Sequence, residues 1–298
     1  MPKLEERRLQ QLRGSSYVLT LPKEWVEELG LGKGSSVFLL TEPGLLIVVP
    51  GERVGGLLVD VELDVVGEER LENVVKVLYR VGASQVRFRT RKPVHEVVGK
   101  IRRLRREIHG LIVTAPSENL AVVSFSDEVF AGLDQGIRVF LMTLASAAQV
   151  AAKPAGQVDA GSLQEELADC RLYALALFRH VSGLITKPSR DMVIQALPLT
   201  GVVSARMLDL CDSFENAVAS GVTGVFTGLV GVFSELVAEM TDALGGDFES
   251  FEKVEKRVKE ALVDIASGDC RAYMLFKSLL NLAESLKELA LLKTIITA

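Results

Sequence analysis

A chain of 298 residues with 48% hydrophobic and 24% charged side chains carries enough apolar material for about two or three buried cores, which excludes a disordered polymer. Three cysteines, Cys170, Cys211 and Cys270, are too few and too dispersed for a disulfide scaffold, so free thiols in a reducing cytoplasm are expected. The net charge of −5 is unevenly spread: residues 1–53 hold seven basic and seven acidic side chains (0), residues 54–125 twelve and nine (+3), and residues 126–298 fifteen and twenty-three (−8).

The first residues, MPKLEERRLQ, lack a charged segment followed by an apolar core, so no secretory signal is expected. Residues 1–53 read as a strand over Arg7–Leu12, a turn at Arg13-Gly14, a strand over Ser16–Leu21, and a short helix over Lys23–Leu29 that Pro22 opens and Gly30 ends. Two further strands, Ser36–Leu40 and Leu45–Val49, meet at Glu42-Pro43-Gly44. About fifty residues of short strands bury little surface and leave edges open, so such a unit needs a partner copy. Its apolar side chains Leu19, Leu21, Trp25, Val37, Leu39 and Ile47 would be poorly covered in a single copy.

From Gly55 the pattern becomes LLVDVELDVV, ERLENVVKVLYRVG, QVRFR, VHEVVGKIRRLRREI, GLIVTA and NLAVVSF, which predicts a small α/β unit of βαβαββ order over residues 54–126. Within it, residues 80–106 hold ten basic side chains against Glu96 alone. On a helix near residues 94–108, Arg102, Arg105 and Arg106 fall on one side and Val97, Val98, Ile101, Leu104 and Ile108 on the other. That basic patch suits DNA phosphates, the acidic helical region of the same or another chain, or solvent.

Beyond Glu128 strand signals vanish, and long apolar-periodic segments predict five or six helices packed as bundles over residues 127–298. The uncharged run Ala217–Ser234 reaches membrane-spanning length only by counting its Gly, Ser and Thr. A buried bundle position is expected, with Gly221, Gly224, Gly228 and Gly231 permitting close packing and no insertion into a membrane. ADCRLY (168–173) and GDCRAY (268–273) share Asp-Cys-Arg-x-Tyr, read as coincidence because they fall at different places in their helices.

The stretch GSSYVLTLPKEWVEELGLGKGSSVFLL resembles the swapped-hairpin DNA-binding domain of the SpoVT/AbrB family, in which a strand ending in Leu/Ile-Pro leads into a short helix and a Leu-Gly-Leu-x-x-Gly exit. The resemblance covers residues 5–50. Domain order, with DCRLYALALFR and ARMLDLCDSFENAV in the helices, is similar to an archaeal group of PhoU-like proteins that join this domain to a helical body. It implies a multidomain α+β protein: an AbrB-like β domain (1–53), an α/β connector (54–126) and an all-α PhoU-like body (127–298). It also implies a cytoplasmic homodimer that regulates phosphate uptake genes.

For DNA contact the residues themselves offer Arg7, Arg8, Gln10 and Arg13 on the first strand and its turn, with Lys23 near the helix start, because phosphates need cations and base edges need donors. Neutral charge over residues 1–53, with Glu5 and Glu6 beside the arginines, equally describes a solvated face. The other reading is an adaptor whose helical body contacts a transporter or signalling protein while the hairpins serve dimerisation. Some members of the family are antitoxins.

PhoU-like repeats bind metal clusters through acidic pairs four residues apart on one helix face. Here Asp209 is followed at that spacing by Ser213, and the last helix offers Lys287 and Leu291, so no metal or other cofactor is expected. Asp169, Cys170, Asp209, Asp212 and Glu215 are the remaining ligand candidates if two helices face each other, and they would suit zinc or iron. His95, His109 and His180 have no ligand spacing, and no phosphate loop, nucleophile elbow or local Cys–His pairing points to an enzyme.

Overall fold

The computed structural model describes residues 6–11, 14, 17–42, 45–50, 57–126, 130, 132–153, 160–184, 197–219, 223–244, 248–265 and 270–297. The chain forms two compact units, Met1–Val54 and Gly55–Ala298.

In the first unit β1 (Gln10–Gln11) pairs antiparallel with β2 (Tyr17–Val18), and β3 (Val37–Glu42) pairs antiparallel with β4 (Leu45–Pro50). Helix α1 (Lys23–Glu28) lies between the hairpins. Pro22 caps it, since proline cannot donate but its carbonyl receives the Val26 N–H at 3.1 Å. Gly30, at φ 66°, reverses the chain after its end in a conformation that costs glycine little. The first hairpin is shorter than the pattern predicts: Arg7 and Arg8 precede β1 instead of lying on it. Arg7–Gln11 are exposed on both faces, and the ladder is confined to Gln10 and Gln11 among the described residues.

The unit has almost no interior of its own. Tyr17, Phe38 and Leu39 are 65%, 52% and 61% exposed, and Leu19, Leu21 and Val37 are also exposed. Trp25 and Ile47 are half-buried, and among the described side chains Val49 and Pro50 are buried.

The second unit begins with a mixed sheet of order β5-β6-β8-β7, built from β5 (Leu57–Glu62), β6 (Ala83–Arg89), β7 (Leu111–Ser117) and β8 (Leu120–Phe125). β5 runs parallel to β6, so α3 (Leu71–Arg80) forms the crossover; β6 and β7 both run antiparallel to β8. The LDVV segment is not strand. It forms the short helix α2 (Leu63–Val66), which tucks Leu63 into the core and turns at Gly67, φ 90°.

Helix α4 (Val94–Arg103) buries Val94, Val97, Val98 and Ile101, then tightens into a 3₁₀ turn over Leu104–Arg106 before Gly110 leads into β7. Arg102 thus sits on α4, while Arg105 and Arg106 sit on the turn.

Six helices follow among the described residues: α5 (Leu133–Ala151), α6 (Ala160–Leu184), α7 (Leu197–Ala219), α8 (Thr223–Ala243), α9 (Phe248–Ile265) and α10 (Cys270–Thr297). They share one continuous core. At its centre Phe214 stacks on Phe233 with ring centroids 5.5 Å apart, and Phe276 meets Phe233 edge-on at 5.8 Å.

The run Ala217–Ser234 is divided between α7 and α8, and no helix among the described residues is long and apolar enough to cross a membrane. Gly231 is exposed with open space where a Cβ would stand, so it marks no close helix approach. Gly221 lies outside the described residues, as do the side-chain surroundings of Gly224 and Gly228. Cys170 is buried within α6 whereas Cys270 is exposed at the start of α10, so the two Asp-Cys-Arg phrases occupy unlike settings.

The sheet and the helices are joined through α6. Leu175 completes the sheet core, and Arg179, 3% exposed, reaches back to donate to Ala83 O at 2.6 Å and Tyr79 O at 3.3 Å. Gly82, at φ 80°, comes so close to α6 that a Cβ there would stand 3.0 Å from Gly183 N.

Candidate nucleic-acid interface

In the first unit Arg8 and Gln10 are exposed, Gln10 opposite Val18 in the hairpin ladder, and Arg7 is exposed just before β1. Arg13 lies outside the described residues. Lys23 projects from the first turn of α1 with 86% of its side chain exposed, but Glu27 sits 3.4 Å away and Glu24 and Glu28 share the helix. One cation among three carboxylates gives α1 a negative local charge, which disfavours phosphate contact there.

Part of the basic stretch of the second unit is neutralised in place. Arg89 lies 3.9 Å from both Asp60 and Glu62, Arg91 lies 3.3 Å from Asp64, and Lys92 and Lys100 lie 3.0 and 3.2 Å from Glu68. Hydrogen bonds from Lys92 and then Lys100 hold the Glu68 carboxyl below its ordinary pKa. Arg102, Arg103, Arg105 and Arg106 are exposed and, among the described residues, meet no carboxylate within ion-pair distance.

The helical ligand candidates are separated by other duties. Asp209 is within 3.3 Å of Arg206, and Asp212 and Glu215 both receive Arg171, the latter at 2.7 Å. Asp169 is exposed on α6. Cys170 and Cys211 are both buried; the hydrogen bond that the Cys170 thiol donates to Cys211, then burial, push that thiol far above its ordinary pKa. Among the described residues no group of three or more His, Cys, Asp or Glu converges to hold a metal. Ser213 Oγ lies 2.8 Å from Ser278 Oγ across α7 and α10, and Lys287 donates to Glu255, so both positions are occupied by packing pairs.

With that geometry in view, the comparisons concern the first unit. Residues 10–55 match the family model described as antidote-toxin recognition MazE, bacterial antitoxin. The match ends where the first unit ends, and it spans both hairpins and α1. No curated protein and no solved structure matches the chain.

Two features escape a linear reading. Arg179 is embedded in the apolar phrase ALALFRHV, and that embedding was its only signal. Glu255 and Lys287 are 32 residues apart, a separation no local pattern marks.

Proposed function

We propose that the chain is a DNA-binding regulator that acts as a cytoplasmic homodimer and catalyses no reaction. The observation that carries this is the MazE-type segment with its exposed apolar side chains: Phe38 and Leu39 lie open in a hairpin matched by a regulator family. Covering each large apolar side chain contributes about 1.5–3 kcal/mol, so pairing two copies is strongly favourable. Pairing also doubles the set of Arg7, Arg8, Gln10, Arg13 and Lys23 offered to DNA.

In this reading residues 1–53 form the DNA-binding and dimerisation domain, 54–126 the connector, and 127–298 a PhoU-like body that senses a signal or binds a partner. Phosphate homeostasis as the regulated process is supported by the resemblance in domain order. A second reading, the adaptor, is favoured by apolar side chains left exposed on the helices, among them Met142, Val263 and Met274. In that case the partner of the helical body is a transporter or signalling protein, while the antidote description of the family matched by residues 10–55 concerns the first unit.

The test is salt-dependent DNA binding by the full chain, with the triple substitution Arg7→Ala, Arg8→Ala, Arg13→Ala. Each lost phosphate contact should reduce the slope of log affinity against log salt by about 0.9. An unchanged slope and affinity would remove the first unit from the interface. Genomic occupancy of the intact protein in phosphate-limited and phosphate-replete cells then tests the pathway; promoters unrelated to phosphate would refute that part.

A further inference from the structure

In the second unit a cleft of about 610 Å³ opens where the 3₁₀ turn after α4 meets α6 and α7. Sites for small organic molecules run from about 300 to about 1,000 Å³, so the volume fits one such molecule. Its apolar part is formed by Leu163, Leu167 and Leu172 of α6 with Val218 of α7. Leu163 and Leu167 are buried members of the helical core, so this floor is held by packing and not by loose surface side chains.

Four charged residues line the same cleft: Arg106, Glu107, Arg171 and Glu215. Three are already answered. Lys76 meets Glu107 at 2.5 Å, and Arg171 meets Glu215 at 2.7 Å and also Asp212. Arg106 has no carboxylate within ion-pair distance among the described residues.

The geometry points to a binding site for an apolar monoanion, an acyl or aromatic carboxylate whose head sits on Arg106 and whose body lies on Leu163, Leu167, Leu172 and Val218. A guanidinium offers a carboxylate two parallel N–H donors, which fixes both position and orientation. The charge count selects one negative charge over two. Arg171 faces two carboxylates and leaves a surplus of −1 beside the cleft, which Arg106 balances; a bound carboxylate then leaves one net negative charge and a phosphate dianion two, so the dianion is the more strongly disfavoured. Apolar walls give a small hydrated ion nothing to exchange for its water. None of its walls comes from the first unit, while Arg106 also belongs to the basic ridge of Arg102, Arg103, Arg105 and Arg106.

The probe is dansylated undecanoic acid, read by its fluorescence rise on the full chain, beside the uncharged primary amide of the same molecule. Saturable binding of one acid per chain is expected, with the amide about tenfold weaker because the charge-assisted pair is lost. Arg106→Gln should weaken the acid about tenfold and leave the amide unchanged. Ala168→Phe fills the cleft from an exposed lining position, outside the core, and should abolish both. Circular dichroism checks the fold; should the filled variant lose helicity, the Arg106→Gln comparison decides alone. Equal binding of acid and amide, an equal loss of both in Arg106→Gln, full affinity in folded Ala168→Phe, or no saturation up to about 1 mM would each overturn the proposal.

Discussion

Arg179→Met removes the charge that α6 inserts beneath the sheet while keeping an unbranched stem of comparable length. The guanidinium donates to Ala83 O at 2.6 Å and Tyr79 O at 3.3 Å, and lies 5.0 Å from the Tyr79 ring centroid and 5.2 Å from that of Phe125. Tyr79 O keeps the Gly82 N–H at 3.1 Å, so the donor matters most at Ala83 O. A hydrogen bond from a charged donor is worth about 1.5–3 kcal/mol, and the ring contacts add about 1–2 kcal/mol each when water is excluded. Against this stands the desolvation of a buried cation, several kcal/mol, which methionine does not incur. The balance predicts a loss of about 2–3 kcal/mol for Arg179→Met, rising to about 3–5 kcal/mol for Arg179→Ala, where a cavity is added. Arg179→Lys should fall between wild type and Met, since an ammonium keeps the charge but cannot span both carbonyls. Urea unfolding of the full chain, followed by far-ultraviolet circular dichroism, reads the difference. Wild-type or greater stability in Arg179→Met would refute the reasoning, because it would show that desolvation outweighs the contacts.

Leu39→Asp places a charge on the exposed face of β3 and should convert the full-length dimer to monomer in sedimentation velocity while abolishing DNA binding; a dimer that persists would move the dimer interface out of the first unit. For Glu255, burial alone would raise the carboxyl pKa, but hydrogen bonds from Lys259 and Lys287 outweigh burial and hold it below its ordinary 4.5. A depressed folded value means that the stabilisation is present above about pH 4.5 and is lost as pH falls through the folded value. Lys287→Met removes one donor, so it should cost about 1–3 kcal/mol at neutral pH and move acid unfolding to higher pH, and an unmoved acid midpoint would contradict the assignment.

Local pattern was legible where one segment decides its own conformation. Pro22, Gly30 and the alternation after Val37 mark the hairpins and α1, and apolar periodicity marks the long helices. The pattern failed where a tertiary demand competed with it. Leu63 lies in a segment of strand composition, yet its burial is satisfied by a single helical turn ended by Gly67. The 94–108 helix tightens after Arg103 because Leu104 and Ile108 must both reach the core before Gly110 turns the chain. Of the candidate site, the identity of the arginines was readable; their partners were not. Asp60, Glu62, Asp64 and Glu68 precede the cations they neutralise by at least twenty residues, so a charge count over one window cannot include them.

That pairing also bears on which face can hold DNA. Parallel pairing places Asp60 opposite Arg87 and Glu62 opposite Arg89, so the open sheet face carries both signs side by side. Uncompensated cations cluster in the ridge of Arg102, Arg103, Arg105 and Arg106 at the C-terminal end of α4, where the carbonyl end of the helix favours cations. Such a ridge can neutralise phosphates, up to about four with a salt slope near −3.6, and it offers guanidinium donors for a guanine edge but no Asn or Gln for an adenine edge. Gln10 lies in the first unit, beside Arg7 and Arg8. In the proposed regulator the first unit thus supplies the amide that can read an adenine edge, while the ridge acts mainly through its charge. Losing the ridge would weaken all DNA sequences alike, whereas losing Gln10 would narrow the gap between operator and random DNA.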